Sequence, residues 1–343
     1  MATGYVYDPL FLAHDLDHHP ENSGRLVATM QTLEASGILG RLVAIPALDV
    51  PQPVLTAVHD PLYVDLVRRR AEGGGGWLDL DTYISRGSYA AAIRAAGAVR
   101  EATWAVLRGD VENAFAIVRP PGHHALPNRG TGFCLFNSVA VAARDAVRSG
   151  AVERVLIADL DVHHGNGTAE TFERDRSVLY FSTHQYPHYP GTGRAEEKGL
   201  GNVVNVPLPT GTGDQGLRLA YGGLLPPLAR RFRPELILVS AGYDGHWRDP
   251  LAGFQATVQG FATLVRILRD LADECCQGRL VLSLEGGYDP QALGYSVLAS
   301  LAVLAGEEPG DPLGPAPSPE PDVEPILARV AALHGLAGPP TTG

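Results

Sequence analysis

The sequence has no excess of positive charge: 27 Lys and Arg stand against 38 Asp and Glu, for a formal net charge of -11. A surface that tracks phosphates has to be basic, so this balance argues against nucleic-acid or anionic-membrane binding. Cysteine is scarce, with three in 343 residues. Two of them, Cys275 and Cys276, are adjacent and badly placed to bridge each other; with Cys134 they form no zinc-finger spacing. That usage fits a reducing compartment, hence a cytoplasmic location. Met1 to Leu12 lack a basic stretch and a long apolar stretch, so no signal peptide is expected. No apolar run is long enough to cross a bilayer: Leu293 to Ala305 is too short, contains Tyr295 and Ser296, and reads as a buried helix. There is no internal repeat, and no break in composition before about Gly306.

The chain does have enough apolar material, 45% of its residues, for a large core. It comes as short apolar runs alternating with helical patterns. Strands are expected at Tyr5 to Asp8, Ala114 to Val118, Val155 to Ala158, Val178 to Ser182, Val203 to Val206, Leu236 to Ser240 and Leu280 to Leu284. Between them, helices are expected at Arg25 to Ser36, after the Asp60-Pro61 turn, and at Ser88 to Arg108, Val139 to Val147 and Thr168 to Glu173. Further helices are expected at Leu217 to Arg231, Phe254 to Ala272 and Ala292 to Ala305. Gly73 to Gly76 reads as a flexible surface loop. The alternation predicts an α/β fold, one parallel sheet with helices on both faces. Residues 1–306 form the expected catalytic domain. Residues 307–343 form a Pro-rich extension that wraps the surface and ends in a short helix, Ile326 to Leu336.

In open α/β sheets, ligands bind outside the carboxyl ends of the strands. The residues just past each apolar run are therefore informative. After Ala114–Val118 come His123 and His124. After Val155–Ile157 come Asp159, Asp161 and His163, which share one face of an extended chain. Ser182 and His184 come after Val178–Phe181; Gly242, Tyr243 and Asp244 after Leu236–Ser240; Glu285, Gly286, Gly287 and Tyr288 after Leu280–Leu284. A lone Asp-x-His would read as a strand end with an acidic turn, but five strand ends carry matching chemistry. Asp161, His163 and Asp244 would give a Zn²⁺ or Fe²⁺ ion three ligands and leave positions open, the pattern of a catalytic site. The tandem imidazoles offer acid–base catalysis. Asp159 can hold one of them in its tautomer, and Asn166 can orient the other. Tyr288 can donate to an oxyanion. Such parts hydrolyse an amide.

The motifs Pro120-Pro121-Gly122-His123-His124, Gly132-Phe133-Cys134, Asp159-Leu160-Asp161-Val162-His163-His164-Gly165-Asn166-Gly167, Tyr189-Pro190-Gly191, Gly242-Tyr243-Asp244 and Glu285-Gly286-Gly287-Tyr288 resemble the zinc-dependent histone deacetylase family. Bacterial histone-deacetylase-like amidohydrolases belong to that family, and the resemblance runs from about Tyr5 to Ala305. Asn166 points to the class II branch. The resemblance implies the single-domain arginase/deacetylase fold and a zinc site at Asp161, His163 and Asp244. It makes Tyr288 the transition-state tyrosine, His124 the acid–base group, and His123, backed by Asp159, its electrostatic support. It also implies a structural potassium site at Asp159, Asp161, His163, Ser182 and Thr183, some of them through backbone carbonyls. Gly132, Phe133, Tyr189, Leu251 and Gly286 would bind substrate, the two aromatics clasping a lysine's methylenes.

Two departures narrow the reading. Dimanganese ureohydrolases of similar layout need extra carboxylates for a second metal, where this chain has Gly165 and His246. Class II acetylpolyamine deacetylases carry a Glu seven residues after the last ligand, where this chain has Leu251. The expected substrate is therefore an acetylated lysine or similar small acetylated amine, with an acetylpolyamine as the alternative. A non-catalytic acyl-lysine binding module is a further reading, but a binder gains little from the full set of ligands, histidines and tyrosine. His14, His18 and His19 read as a polar loop at the pocket rim, His184 and His188 as lining its mouth, and His164 and Cys134 as structural. Oligomeric state is left open.

Overall fold

Strands covered on both faces need no alternation, and the strands of this chain have none. The computed structural model describes residues 2–336. Its strands are β1 (Thr3–Val6), β2 (Val43–Ala44), β3 (Gly76–Trp77), β4 (Tyr83–Ile84), β5 (Asn113–Ala116), β6 (Val155–Asp159), β7 (Val178–Gln185), β8 (Val203–Leu208), β9 (Leu236–Ala241) and β10 (Leu280–Leu284). Eight of them form one sheet in the order β2-β1-β5-β10-β9-β6-β7-β8, and every pairing in it is parallel. β5, β6, β7, β9 and β10 are buried at every residue. The helix Ser88–Arg108, alanine-rich and broad-faced, packs across one side of β5 and β10 and against Ser138–Arg148. The helices Val258–Cys276, Pro290–Leu304 and Gly24–Ser36 pack in series. The apolar segment 293–305 is, as expected, a buried helix.

Departures from the expected elements have local causes. The first strand is Thr3–Val6 rather than 5–8. The single helix expected over 217–231 is two, Asp214–Gly223 and Leu225–Phe232. Pro226 and Pro227 lack an N–H, so they fit only the first turn of a new helix. The helix expected from Phe254 starts at Val258, where Thr257 accepts the N–H of Gly260 as its cap. Residues 254–256 are extended instead, and Gln255 N–H donates to Thr212 O. β7 runs to Gln185, so Ser182, Thr183 and His184 are strand residues. Gly73 to Gly75 form the expected surface loop, and Gly76 opens a small antiparallel hairpin, β3–β4. β2, two exposed residues at the sheet edge, had no signal in the pattern.

Residues 307–323 cross the surface as an irregular strap. Asp311 Oδ2 accepts the N–H of Gln259 at 3.2 Å. Glu320 accepts from Gly213, Gln215 and Gly216 at 2.9 Å each, capping the start of the helix Asp214–Gly223. The helix Glu324–Leu333 then packs on β8 at the sheet edge. Residues 337–343 of the expected extension lie outside the described residues. Under the strap is a polar groove of about 730 Å³, which shares no lining residue with the cluster of strand ends.

Glu320→Ala should therefore lower stability by about 1–2 kcal/mol, the scale of a lost helix cap carrying charge. Denaturant unfolding measures this; an unchanged midpoint would mean that water satisfies the three amides equally well.

Candidate active site

The strands whose ends carry chemistry are neighbours: β5-β10-β9-β6-β7 form an unbroken block of the sheet. At about 4.8 Å per strand, five such ends span about 20 Å. The loops leaving them close over a pocket of about 200 Å³ lined by His123, His124, Asp161, His163, Asp244 and Tyr288. Gly132, Phe133, Tyr189, Leu251 and Gly286 line it as well.

Asp161, His163 and Asp244 present ligand atoms that all lie within 4.8 Å of one another. His163 Nδ1 stands 3.1 Å from Asp161 Oδ1 and 3.1 Å from Asp244 Oδ2. The other oxygen of each carboxylate is fixed by a backbone amide: Gly286 N–H donates to Asp161 Oδ2 at 3.0 Å, and Val162 N–H to Asp244 Oδ1 at 3.0 Å. The walls behind are glycine. A Cβ at Gly242 would lie 2.0 Å from Asp161 Oδ2, and one at Gly286 would lie 2.1 Å from Asp244 Oδ2. Burial pulls the His163 pKa down, but Asp244 and Asp161 outweigh it and hold it at about 10. The cluster thus favours a positive charge at its centre, and its donor set fits a small divalent cation. A Cβ at Gly165 would lie 2.4 Å from Asp159 Oδ2, so that position has no room for a second metal's carboxylate.

The tandem histidines differ in their partners. His123 Nδ1 lies 3.1 Å from Asp159 Oδ2, and the Tyr180 hydroxyl donates to the same oxygen at 2.8 Å. Burial would lower the His123 pKa, but Asp161 and Asp159 raise it well above the usual imidazole value. His124 Nδ1 lies 2.8 Å from Asn166 Oδ1. Burial and the nearby His123 and His163 charges push His124 well down. The two rings are thus pushed in opposite directions, although they are 4.0 Å apart and come from adjacent residues.

Behind this surface stand residues to which the sequence assigned no role: Glu285, named there only as a strand-end residue, and Glu21, Arg25 and Arg119. Glu285 Oε2 accepts from the N–H of Gly122 at 2.6 Å and of His123 at 3.2 Å, and Oε1 from Ser240 Oγ at 3.1 Å. Burial lifts Glu285 to about 7. His123, Cys134 and Glu285 also converge closely enough for an ion, but Glu285 is taken by these donors and burial keeps the Cys134 thiol protonated. Arg25 Nε and Nη2 donate to the carbonyls of Gly287 and Glu285, each at 2.6 Å, and its guanidinium lies 4.8 Å from the Tyr288 ring centroid. Arg25 and the buried Arg119 share Glu21, itself fully buried. The pattern Glu21-x-x-x-Arg25 at the start of a helix is the one signal in the sequence. It reads as an ordinary surface i,i+4 pair until the helix is seen packed over the site.

Phe133 and Tyr189 flank the pocket. Phe133 has φ 68°, a left-handed backbone that a bulky residue rarely adopts; its ring meets Tyr288 edge-on at 5.7 Å. Gly132 is required beside it, because a Cβ there would lie 2.4 Å from His124 Cδ2. Tyr189 stands edge-on to His124 at 5.1 Å, and His188 stacks on His163 at 5.1 Å. Asp81 joins the lining. Asp159 and Ser182 are register neighbours on β6 and β7; Thr183 is buried, and its Oγ1 has no hydrogen-bond partner. Corrections fall on two histidines. His184 is fully buried and bonded to Ser182 Oγ and Gly193 O, because β7 continues past it, so it does not line the mouth. His14 is equally buried, stacked on Tyr83 beside Glu21, rather than at a rim.

The fold is of the arginase/deacetylase type, with the pocket at the carboxyl ends of its parallel strands. The histone deacetylase domain profile matches residues 19–304. A probable deacetylase of Archaeoglobus fulgidus is 41% identical over 314 residues, covering 89% of this chain and 87% of that one. The histone deacetylase-like amidohydrolase of Pseudomonas aeruginosa is 38% identical, covering 88% and 80%. Human polyamine deacetylase HDAC10 is 39% identical, and this chain spans 53% of its length. The crystal structure of the HDA15 HD domain superposes with a TM-score of 0.89 at 35% identity, covering 97% of this chain and 94% of that one. The chain belongs to the histone deacetylase family.

His163→Ala removes the atom on which both carboxylates converge. Divalent-metal affinity should fall by more than about 100-fold, beyond the loss typical of outer-shell partners. Metal content after dialysis, with circular dichroism as the check on folding, measures it; full retention would show that the cluster is not the ligand set.

Proposed function

We propose that the protein is a metal-dependent amidohydrolase that removes acetyl or short acyl groups from N-acetylated lysine or a similar amine. The observation that carries the proposal is the convergence of Asp161, His163 and Asp244 in one narrow pocket with a neutral His124 and with Tyr288. Asp161, His163 and Asp244 would hold Zn²⁺, or Fe²⁺ in its place. Bound there, the ion would supply a Lewis acid that polarises the amide carbonyl and acidifies water.

The chain's own groups do the rest. His124 shares its Nδ1 proton with Asn166, which leaves Nε2 free to take a proton from the attacking water and pass it to the leaving amine. His123, charged and held by Asp159, stabilises the negative charge that develops. Burial keeps the Tyr288 phenol protonated well above the usual range, so it can donate to the oxyanion. Phe133 and Tyr189 would hold the methylenes of the substrate and keep water out. Asp159 and Ser182, with carbonyls of Asp161, His163 and Thr183, would hold K⁺; the register pairing of Asp159 with Ser182 on β6 and β7 supports this. Residues 1–306 would form the catalytic domain and 307–343 its extension. Three cysteines without a bridge support a cytoplasmic setting.

A second reading is an acetylpolyamine amidohydrolase. Asp81 in the pocket lining and the similarity to a polyamine deacetylase favour it; Leu251, which gives an inner ammonium no charge partner, opposes it. On purified, metal-loaded protein, acetyl-lysine peptides should turn over faster than acetylspermidine or acetylputrescine. Leu251→Glu should shift kcat/KM toward acetylspermidine by about tenfold, the scale of one partly desolvated charge pair. The opposite ranking in the parent protein would favour the second reading.

Tyr288→Phe should lower kcat by about 100- to 1,000-fold, the effect of one oxyanion donor. A fluorogenic acetyl-lysine assay reads it, and unimpaired turnover would remove that role from Tyr288.

A further inference from the structure

Tyr288 hangs on a segment with little intrinsic stiffness. Gly286 and Gly287 precede it, and Gly287 sits at φ 125°, a backbone with more freedom than other residues allow. An oxyanion donor is worth most when it is fixed before reaction, so this backbone has to be restrained from outside. Arg25 restrains one side by its bonds to the Glu285 and Gly287 carbonyls.

The other side is held by Asp249. Its Oδ2 accepts the N–H of Tyr288 at 2.6 Å, and its Oδ1 accepts the N–H of Leu251 at 2.9 Å. Asp249 is 7% exposed, and its own N–H donates to His246 O at 2.8 Å. The Leu251 carbonyl lies 3.2 Å from Nε2 of His188, the ring stacked on His163. One buried carboxylate therefore ties the loop after β10, which carries Tyr288, to the loop after β9, which carries Asp244 and Leu251. Arg248 and Asp289 span the same loops at 3.4 Å, but both are partly exposed, and such pairs hold weakly.

We propose that Asp249 is a positioning residue for deacetylation: it sets the Tyr288 hydroxyl against the substrate wall at Leu251. The inference rests on the reading of Tyr288 as oxyanion donor. Two N–H groups from two loops converge on Asp249, and each needs an acceptor oxygen. An asparagine has one such oxygen, and would turn its amide hydrogens toward one of the two donors. Asp249 does not itself line the pocket; it reaches it through the two residues it holds, Tyr288 and Leu251.

The test is a double-mutant cycle on the metal-loaded full chain with a fluorogenic acetyl-lysine substrate. Asp249→Asn should lower kcat by about tenfold to a hundredfold, the cost of a small misplacement, with KM within about twofold and metal content unchanged. In the Tyr288→Phe background the same change should cost less than about threefold, because the group being positioned is gone. Equal losses in both backgrounds, or a change in KM alone, would overturn the proposal. If Tyr288→Phe alone is fully active, the donor reading fails first, and the cycle separates the two failures. Asp249→Ser replaces the Asn variant should that not fold; loss of cooperative melting in both would make Asp249 a determinant of the fold and sink the positioning role.

Discussion

Two carboxylates and one imidazole share a space too dry for their charges to stand uncompensated. Asp161 and Asp244 are both 1% exposed, and each turns one oxygen to His163 Nδ1. Burying charge costs several kcal/mol per ion unless a partner and hydrogen bonds offset it. Backbone amides of Gly286 and Val162 supply part of that offset, and a cation between the three side chains would supply the rest. The glycines at 242 and 286 exist in this arrangement for space, since a methyl group at either would meet a carboxylate.

The same constraint spreads outward. Negative charge at the centre raises His123, while burial and then the neighbouring His123 and His163 lower His124. A buried counter-network lies below, where Glu21 pairs Arg119 and Arg25, and Arg25 reaches the carbonyls of the Tyr288 loop. Electrostatics and loop geometry are thus set by the same side chains. Adjacent histidines are pushed in opposite directions because Asp161 and Asp159 act on His123, while burial and the neighbouring imidazoles act on His124, whose own partner Asn166 is neutral.

Much of this is legible one residue at a time. The strand Leu280–Leu284 has the ends its apolar run suggests, and Asp161, His163, His123, His124 and Tyr288 stand out because each comes after an apolar run at a strand end. Other features are hidden for physical reasons. Glu285 stands out at its strand end, but its role, like those of Arg25 and Asp249, runs through backbone amides and carbonyls, which carry no sequence signature. His184 is core rather than loop because strand length depends on the neighbour: β8 pairs with β7 as far as Gln185. Pro226 and Pro227 split a helix whose apolar periodicity continues across them.

Chain order alone dictates the local inventory: buried strands, capped helices, and the residue types that ligate metals and move protons. These come from nearest-neighbour sterics and side-chain chemistry. Their meeting belongs to the packed fold. β10 inserts between β5 and β9, and β9 sits beside β6, so residues more than a hundred positions apart open onto one pocket. Strand order is set by how helices cover both faces of the sheet, a property of the whole core. The charge states of His123, His124 and His163 come from that same assembly, because burial and opposing carboxylates act through space rather than along the chain.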